Sequence, residues 1–289
     1  MLTAPEWVKF GEKIERSCTL VLGAFDGLHA GHLALLKTAK EKGLPVVITT
    51  MSGGKGKQLF TRAEREVVFA DTGIDFVCEI PFTEALKNTS AEDFLKALLK
   101  SIAARQIVCG EDFRFGKNAL GTPELLESFH LPVTVVKTVR RNGEKVATSA
   151  CKQLVLKNDF QLLKELLGGY FIGGEVEHGR EVGRTYGFPT LNLTISEDKL
   201  LPSDGVYGGF VVTPKGRFRS IINIGSRPTF GVTERKLEAH LLDFEGDLYG
   251  AVVQVYPTVF LRPITRFSSQ EALKKQLQKD KERLEEIDV

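Results

Sequence analysis

Two histidines three residues apart, His29 and His32, stand in the run GAFDGLHAGHLALLKTA (23–39). A short apolar stretch, TLVLGAF (19–25), ends at Phe25. A glycine-containing turn follows, and from about His32 the leucines recur at helical spacing as far as Gly43. A strand that feeds a helix through a short turn puts the helix N-terminus at the carboxyl edge of the strand. Its unpaired N–H groups and partial positive charge then face any ligand bound there. His29 and His32 can point into one crevice and donate hydrogen bonds to phosphate oxygens. Gly31 between them leaves room for backbone to approach a phosphate. The chemistry this suits is nucleotidyl transfer, in which a substrate phosphate attacks the α-phosphorus of a nucleoside triphosphate and pyrophosphate leaves. The attacking group already carries charge, so the protein needs only to position two phosphates and stabilise charge on the equatorial oxygens. An H-x-x-H pair can also be two surface histidines beside a turn, or metal ligands. The attached strand, turn and amphipathic helix favour the phosphate reading, and no third ligand stands nearby for a metal.

The elements that must hold this pair follow an alternating pattern. LPVVITT (44–50), FVCEI (76–80), QIVCG (106–110) and VTVVKTV (133–139) read as strands. Between them lie helical segments: one after the capping box Thr61-x-x-Glu64, and one opened by Ser90, with Phe94, Leu95, Leu98, Leu99 and Ile102 on one side. Strands separated by helices imply a parallel α/β sheet covered on both faces, the doubly wound arrangement. GGKGK (53–57) reads as a loop tip whose lysines are solvated rather than phosphate-bound.

Beyond residue 158 the pattern changes. DFQLLKELLGGY (159–170) is a helix with a Gly-Gly stop, and the expected domain join lies beside it, giving domains 1–158 and 159–289. GFPTLNLTI, VYGGFVVT, FRSIINIG, KLEAHLLDF and AVVQVYPTVFL then follow as short strands divided by turn residues. Such spacing implies an antiparallel barrel or sandwich. The chain closes on a helix in which Ser268 and Glu271 form a capping box and Leu273, Leu277, Leu284 and Ile287 an apolar stripe. The glycine-rich run 173–193 reads by periodicity as a pair of turns able to face phosphate; it lacks the G-K-S/T of a Walker loop. Glu238, alternating with Leu237 and Ala239 along its strand, could take a proton from an alcohol or be a plain surface glutamate.

Composition bounds the partners. The 289 residues hold 39 Lys plus Arg against 37 Asp plus Glu, a net charge of +2, too weak a field to grip a nucleic-acid duplex by counterion release. Hydrophobic residues make up 42%, enough for a core in each domain. No run approaches the ~20 apolar residues of a membrane helix. Cys18, Cys78, Cys109 and Cys151 form no C-x-x-C pair and are expected as buried, reduced thiols. With no apolar leader in the first residues, the expectation is a cytoplasmic protein acting on small molecules.

GAFDGLHAGH resembles the signature of bacterial bifunctional FAD synthetases, which carry riboflavin kinase and FMN adenylyltransferase in one chain, and GEDFRFGK (110–117) is similar to a second segment of their adenylyltransferase half. Further similarity follows in order in GRTYGFPTLN, LPSDGVYGG, NIGSRPTFG, KLEAHLLDF, DLYG and LRPITRF. The resemblance implies a Rossmann-like nucleotidyltransferase domain followed by a β-barrel kinase with a terminal helix. In the first, Gly23, Phe25, Asp26, His29, Gly31 and His32 would line the ATP site. Asp112 and Arg114 would lie near nucleotide or flavin, and Ser149 and Lys152 would meet nucleotide. In the second, Gly183, Thr190 and Asn192 would hold nucleotide and Mg²⁺, Glu238 would be the general base, and Arg262 would sit near the flavin. ATP, riboflavin, FMN and FAD would be the substrates and products.

The chain departs from the family pattern at two places in its first half. TTMSGGKGKQLF (49–60) stands where a Thr-Phe-Asp-Pro-His-Pro run is usual. VATSACK (146–152) stands where Ile-Ser-Ser-Thr-x-Ile-Arg is usual, so Lys152 replaces a planar guanidinium by a point charge. In the second half Ile264 replaces a common acidic residue. An alternative expectation keeps the nucleotidyltransferase but gives it another phosphorylated acceptor, with a non-catalytic flavin-binding or regulatory barrel. A flavin store without turnover is a third.

Overall fold

The computed structural model describes residues 4–53, 56–70, 72–177, 190–229, 232–265 and 267–287. The chain packs as two compact units. One comprises Met1–Gly56 and Arg62–Ala150, the other Lys57–Thr61 and Cys151–Val289. The join expected near 158 lies inside the second unit, and a five-residue piece of the first half packs with the second unit.

The first unit is built on six parallel strands in the order β1-β4-β3-β2-β5-β6. These are β1 (Glu6–Lys9), β2 (Ile14–Val21), β3 (Val46–Ser52), β4 (Phe76–Pro81), β5 (Ile102–Gly110) and β6 (Val133–Val136). Helices α1 (Ala30–Lys40), α2 (Arg62–Phe69), α3 (Glu84–Lys87), α4 (Ala91–Ser101) and α5 (Pro123–Glu127) connect them. The short β1, which pairs with β4, has no counterpart in the sequence reading. Two cores confirm that both sheet faces are covered. Leu20, Leu22, Val47 and Cys109 pack with Leu95 and Leu98 of α4. Val21, Ile48 and Val108 pack with Leu35 and Leu36 of α1. Alternate residues of one strand thus serve opposite layers, as the pleat requires. Ser90 caps α4 as expected, its Oγ accepting from the Asp93 N–H at 3.1 Å. A hairpin of β7 (Arg140–Arg141) and β8 (Glu144–Lys145) leads to α6 (Thr148–Leu156).

The second unit is a closed antiparallel barrel in the order β10-β13-β12-β11-β14-β9. After α7 (Phe160–Leu167) come β9 (Ile172–Glu177), β10 (Thr190–Leu193), β11 (Gly205–Thr213), β12 (Gly216–Thr229), β13 (Val232–Leu241) and β14 (Val252–Arg262). β9 arises from a segment that periodicity reads as turns, because two of its six residues are glycines and blur the alternation. The barrel interior is apolar: Tyr207, Val211, Ile222, Ile224, Leu237 and Ala239 are fully buried.

The terminal helix α8 (Gln270–Glu285) lies on the barrel wall, with Leu284 packed on Val206, Ile221, Leu242 and Leu261. Its cap is Ser269, not Ser268: the Ser269 Oγ accepts from the Ala272 N–H at 3.2 Å. Gly208 permits this packing, since a Cβ there would stand 2.7 Å from the Leu284 Cδ1.

The segment 57–61 is threaded onto the same unit. The Gln58 N–H bonds the Asp198 carbonyl and the Leu200 N–H bonds the Gln58 carbonyl, both at 2.7 Å. Leu59 and Phe60 are buried there, and the Lys199 ammonium donates to the Leu59 carbonyl at 2.6 Å. All four cysteines are free and buried. Burial pushes the Cys18, Cys109 and Cys151 thiols up to about 11 and Cys78 up to about 12, so they are unreactive at neutral pH.

Candidate functional site

The H-A-G-H run opens α1, and His29 is its N-cap. Imidazole is an unusual cap, and it fixes the ring. The His29 Nδ1 accepts from the His32 backbone N–H at 3.3 Å. A nitrogen that accepts carries no proton, so the neutral ring bears its hydrogen on Nε2, as a donor. His29 stacks on His32 with centroids 3.7 Å apart, and His32 stacks on Phe25 at 4.4 Å. The Phe25 ring in turn folds back over Gly23, where a Cβ would come within 2.6 Å of it. Gly31 is needed for a related reason: a Cβ there would lie 3.0 Å from the His29 Cε1.

Both imidazoles are buried rather than turned to solvent. Burial, with Lys145 adding to it, lowers the His29 pKa to about 4. Burial and the neighbouring His29 lower His32 to about 3. At neutral pH the pair is therefore uncharged. It can donate hydrogen bonds, but it does not supply positive charge.

A positive charge does lie near the pair, on a residue the sequence reading missed. Lys145, on β8, acts electrostatically on His29 and forms an ion pair with Asp112. The hairpin thus joins Asp112, expected from the DFRFG segment, to the histidine turn. The only signal for Lys145 in the sequence is its place just ahead of VATSACK.

A cavity of about 510 Å³ opens at the carboxyl ends of β2 and β3. Parallel α/β sheets bind ligands at that edge. Its wall includes Gly23 of the histidine turn, Thr49, and the aromatic rings of Phe82, Phe94, Phe113 and Phe115, with Arg114 and Asn118 as polar members. Gly23 and Arg114 are thus brought to the cavity. His29, His32, Asp26 and Asp112 are not among its lining residues. Ser149 stands in the first turn of α6. Lys152 donates to the Lys57 carbonyl at 2.8 Å within the second unit.

The second set of expected residues falls on the outer face of the barrel. Asn192 is the cross-strand partner of Glu238, Glu238 of Asn223, Asn223 of Val206, and Val206 of Arg262. Cross-strand partners share a face, so Asn192, Glu238 and Arg262 stand in one row, opposite the buried Leu237 and Ala239. Thr190, two residues before Asn192, shares that face and pairs with His240. Asn223 was missed: it lies between Ile222 and Ile224 in the run SIINIG and adjoins Glu238.

Arg262 is held in the row by an ion pair the sequence did not show. Its Nη2 lies 2.8 Å from the Asp280 Oδ2 and its Nε 3.1 Å from the Oδ1, so α8 is clamped to the barrel. Gly183 lies outside the described residues. Among the described residues no three His, Cys, Asp or Glu side chains cluster as a metal site.

Residues 11–150 match the FAD synthetase family and residues 166–287 the riboflavin kinase family. The bifunctional riboflavin kinase/FMN adenylyltransferase of Escherichia coli (strain K12) is 33% identical over 286 residues, covering 92% of this chain and 91% of that protein. The protein of the same name from Bacillus subtilis (strain 168) is 30% identical over 285 residues, covering 91% and 90%. A crystal structure of a macrolide-efflux protein from Streptococcus pneumoniae superimposes with a TM-score of 0.87 at 28% identity, covering 98% of this chain and 99% of that one. Among the described residues no helix is long and apolar enough to cross a membrane. By sequence over nearly its whole length and by the order of its two units, the chain belongs to the bifunctional riboflavin kinase/FMN adenylyltransferase family.

Proposed function

We propose that the barrel unit phosphorylates riboflavin with ATP to give FMN and ADP, and that the α/β unit joins FMN to AMP from a second ATP, giving FAD and pyrophosphate. The observation that carries the second step is the stacked, neutral His29–His32 pair at the N-terminus of α1, with Lys145 beside it and, at the same sheet edge, an apolar cavity walled in part by four phenylalanines.

In that step an oxygen of the FMN phosphate forms a bond to the ATP α-phosphorus, and the bond to the bridging oxygen of pyrophosphate breaks. His29, His32 and the α1 N–H groups donate to the α-phosphate oxygens as charge builds on them. Lys145 offsets charge on the phosphates. The aromatic wall of the 510 Å³ cavity takes the flavin ring, and Arg114 at its rim meets the FMN phosphate or ribityl chain. The acceptor must therefore carry a large planar apolar group, which argues against the reading of another phosphorylated alcohol.

In the kinase step Glu238 takes the proton of the ribityl 5′-hydroxyl as its oxygen attacks the γ-phosphorus. Thr190 and Asn192 offer neutral oxygens on the same face, and such ligands suit Mg²⁺ that is bound chiefly by nucleotide phosphates. Bound there, Mg²⁺ would neutralise charge on the phosphates. Gly183 belongs to this nucleotide site by resemblance. Arg262, clamped by Asp280, keeps α8 beside the row and borders the flavin. The four buried thiols support a reducing, cytoplasmic setting.

The test is product analysis. Protein incubated with riboflavin, ATP and Mg²⁺ should yield FMN and then FAD, with ADP and pyrophosphate in matching amounts. Flavin binding without ATP consumption would sink the reading.

A further inference from the structure

Among the described residues Arg65 is the largest side chain that is essentially fully buried, and nothing in the reaction as described uses it. It projects from α2, which the sequence marks only as a helical segment behind the Thr61-x-x-Glu64 capping box. A buried guanidinium is costly unless its donors are met. Here its Nη1 donates to the Thr50 Oγ1 at 2.6 Å and to the Met51 carbonyl at 2.9 Å, both at the carboxyl end of β3. The Thr50 hydroxyl passes the contact on. It accepts from Arg65 and donates to the carbonyls of Ala24, at 3.0 Å, and Phe25, at 3.3 Å. Those two carbonyls belong to the turn that carries the histidines.

The turn is strained where it is held. Phe25 has φ +41°, a conformation a bulky non-glycine residue adopts only when its surroundings enforce it. Its ring is the base of the Phe25–His32–His29 stack. Asp26, next in the chain, is one of the carboxylates within electrostatic reach of Arg65, together with Glu79 and Glu64. A path of direct contacts therefore runs from the guanidinium through one hydroxyl and a strained backbone turn to the two imidazoles.

We propose that Arg65 is a positioning residue for adenylyl transfer, acting through the Thr50 hydroxyl to hold the Ala24–Phe25 turn and hence the His29–His32 pair in register with the α-phosphate. This rests on the reading of His29 and His32 as the adenylylation site. Its energetic reason is geometric. The imidazoles act only where charge develops, and a displacement of about 1 Å can cost on the order of 100-fold in rate.

The experiment measures kcat and KM for FMN adenylylation in the full-length chain carrying Arg65→Met, Thr50→Val, both together, Thr50→Ser or His29→Ala. Riboflavin phosphorylation by the other unit is followed in each as the control for folding. Thr50→Val is the decisive variant, because it keeps size and keeps Arg65 but deletes the hydroxyl. The expected result is a fall in kcat of about 10–100-fold for Arg65→Met and Thr50→Val. KM for FMN should stay within about twofold of the parent, since neither Arg65 nor Thr50 itself lines the cavity. The double variant should be no slower than the worse single one, because both break the same path. Thr50→Ser should regain most of the rate lost in Thr50→Val. A parental kcat in Thr50→Val overturns the proposal even if Arg65→Met does not fold, and so do losses that multiply in the double variant. If His29→Ala itself adenylylates at the parental rate, it is the site reading that fails, whatever the Arg65 variants do.

Discussion

The imidazole of His29 caps the helix on which His32 sits, accepting at Nδ1 from the His32 N–H at 3.3 Å while the two rings stack at 3.7 Å. One contact thus settles three things: where α1 begins, which tautomer His29 adopts, and how the two rings are spaced. Cap and candidate catalytic donor are the same group.

The division of labour between the units follows from where the donors sit. His29→Ala removes one α-phosphate donor and should lower FMN adenylylation by about 10²–10³-fold while riboflavin phosphorylation stays within about twofold. Glu238→Gln should do the reverse, slowing FMN formation by about 10²-fold or more and sparing FAD formation from added FMN. Chromatography of flavin products from both variants checks the pair of outcomes. Loss of both activities in either folded variant contradicts separable sites.

Gly31 predicts a separation of rate from stability. It lies inside α1, where alanine is favoured over glycine by about 1 kcal/mol. The added Cβ, however, meets the His29 Cε1 at 3.0 Å and its Nδ1 at 3.1 Å, and the ring is already backed by His32. Gly31→Ala should keep its free energy of unfolding within about 1 kcal/mol of the parent. Its adenylylation rate should nonetheless fall about tenfold or more through the displaced ring. Urea titration and steady-state kinetics on the same sample measure both.

The depressed histidine pKa values set a pH dependence of stability. The folded-state values are about 4 for His29 and about 3 for His32, against 6.5 for the free group. Between these limits the unfolded chain binds more protons than the folded one, so stability falls as pH drops below about 6.5 and continues to fall towards pH 4. His29→Asn keeps a capping side chain without a titrating ring, and should flatten the slope between pH 6.5 and 5. Urea midpoints at several pH values read this directly; an unchanged slope would remove His29 from the account.

The Arg262–Asp280 clamp is a buried pair whose members need each other. Their side chains are 17% and 4% exposed, and Gln276 also donates to Asp280 at 2.9 Å. Removing one partner of such a pair typically costs about 3 kcal/mol or more. Asp280→Ala should therefore lower the melting temperature of the barrel unit and weaken riboflavin phosphorylation. Replacing both residues by apolar ones, as Arg262→Met with Asp280→Leu, should recover stability but not the kinase rate. Calorimetry and product assays distinguish the two.

Local pattern was enough to identify the parallel layer, the barrel strands and most helices, because each depends on periodicity and caps within about ten residues. Ser90 opens α4 where expected. The departures have local causes as well: glycines hid β9, and Ser269 rather than Ser268 caps α8 because either serine satisfies the rule and only backbone geometry chooses.

By itself the sequence determined the histidine turn, the order of two folds in one chain, and the alternation that puts Thr190, Asn192 and Glu238 on one face. These are properties of neighbours along the chain. Tertiary structure alone decided that Lys145 meets Asp112 and bears on His29, that Asn223 adjoins Glu238, and that Asp280 clamps Arg262. It also made TTMS, in sequence only a departure from the family run, the anchor through which Arg65 reaches the turn. The physical reason is the same in each case. Such pairings join residues from 15 to more than 100 positions apart and rest on burial and hydrogen-bond geometry, which leave no periodic trace in the order of amino acids.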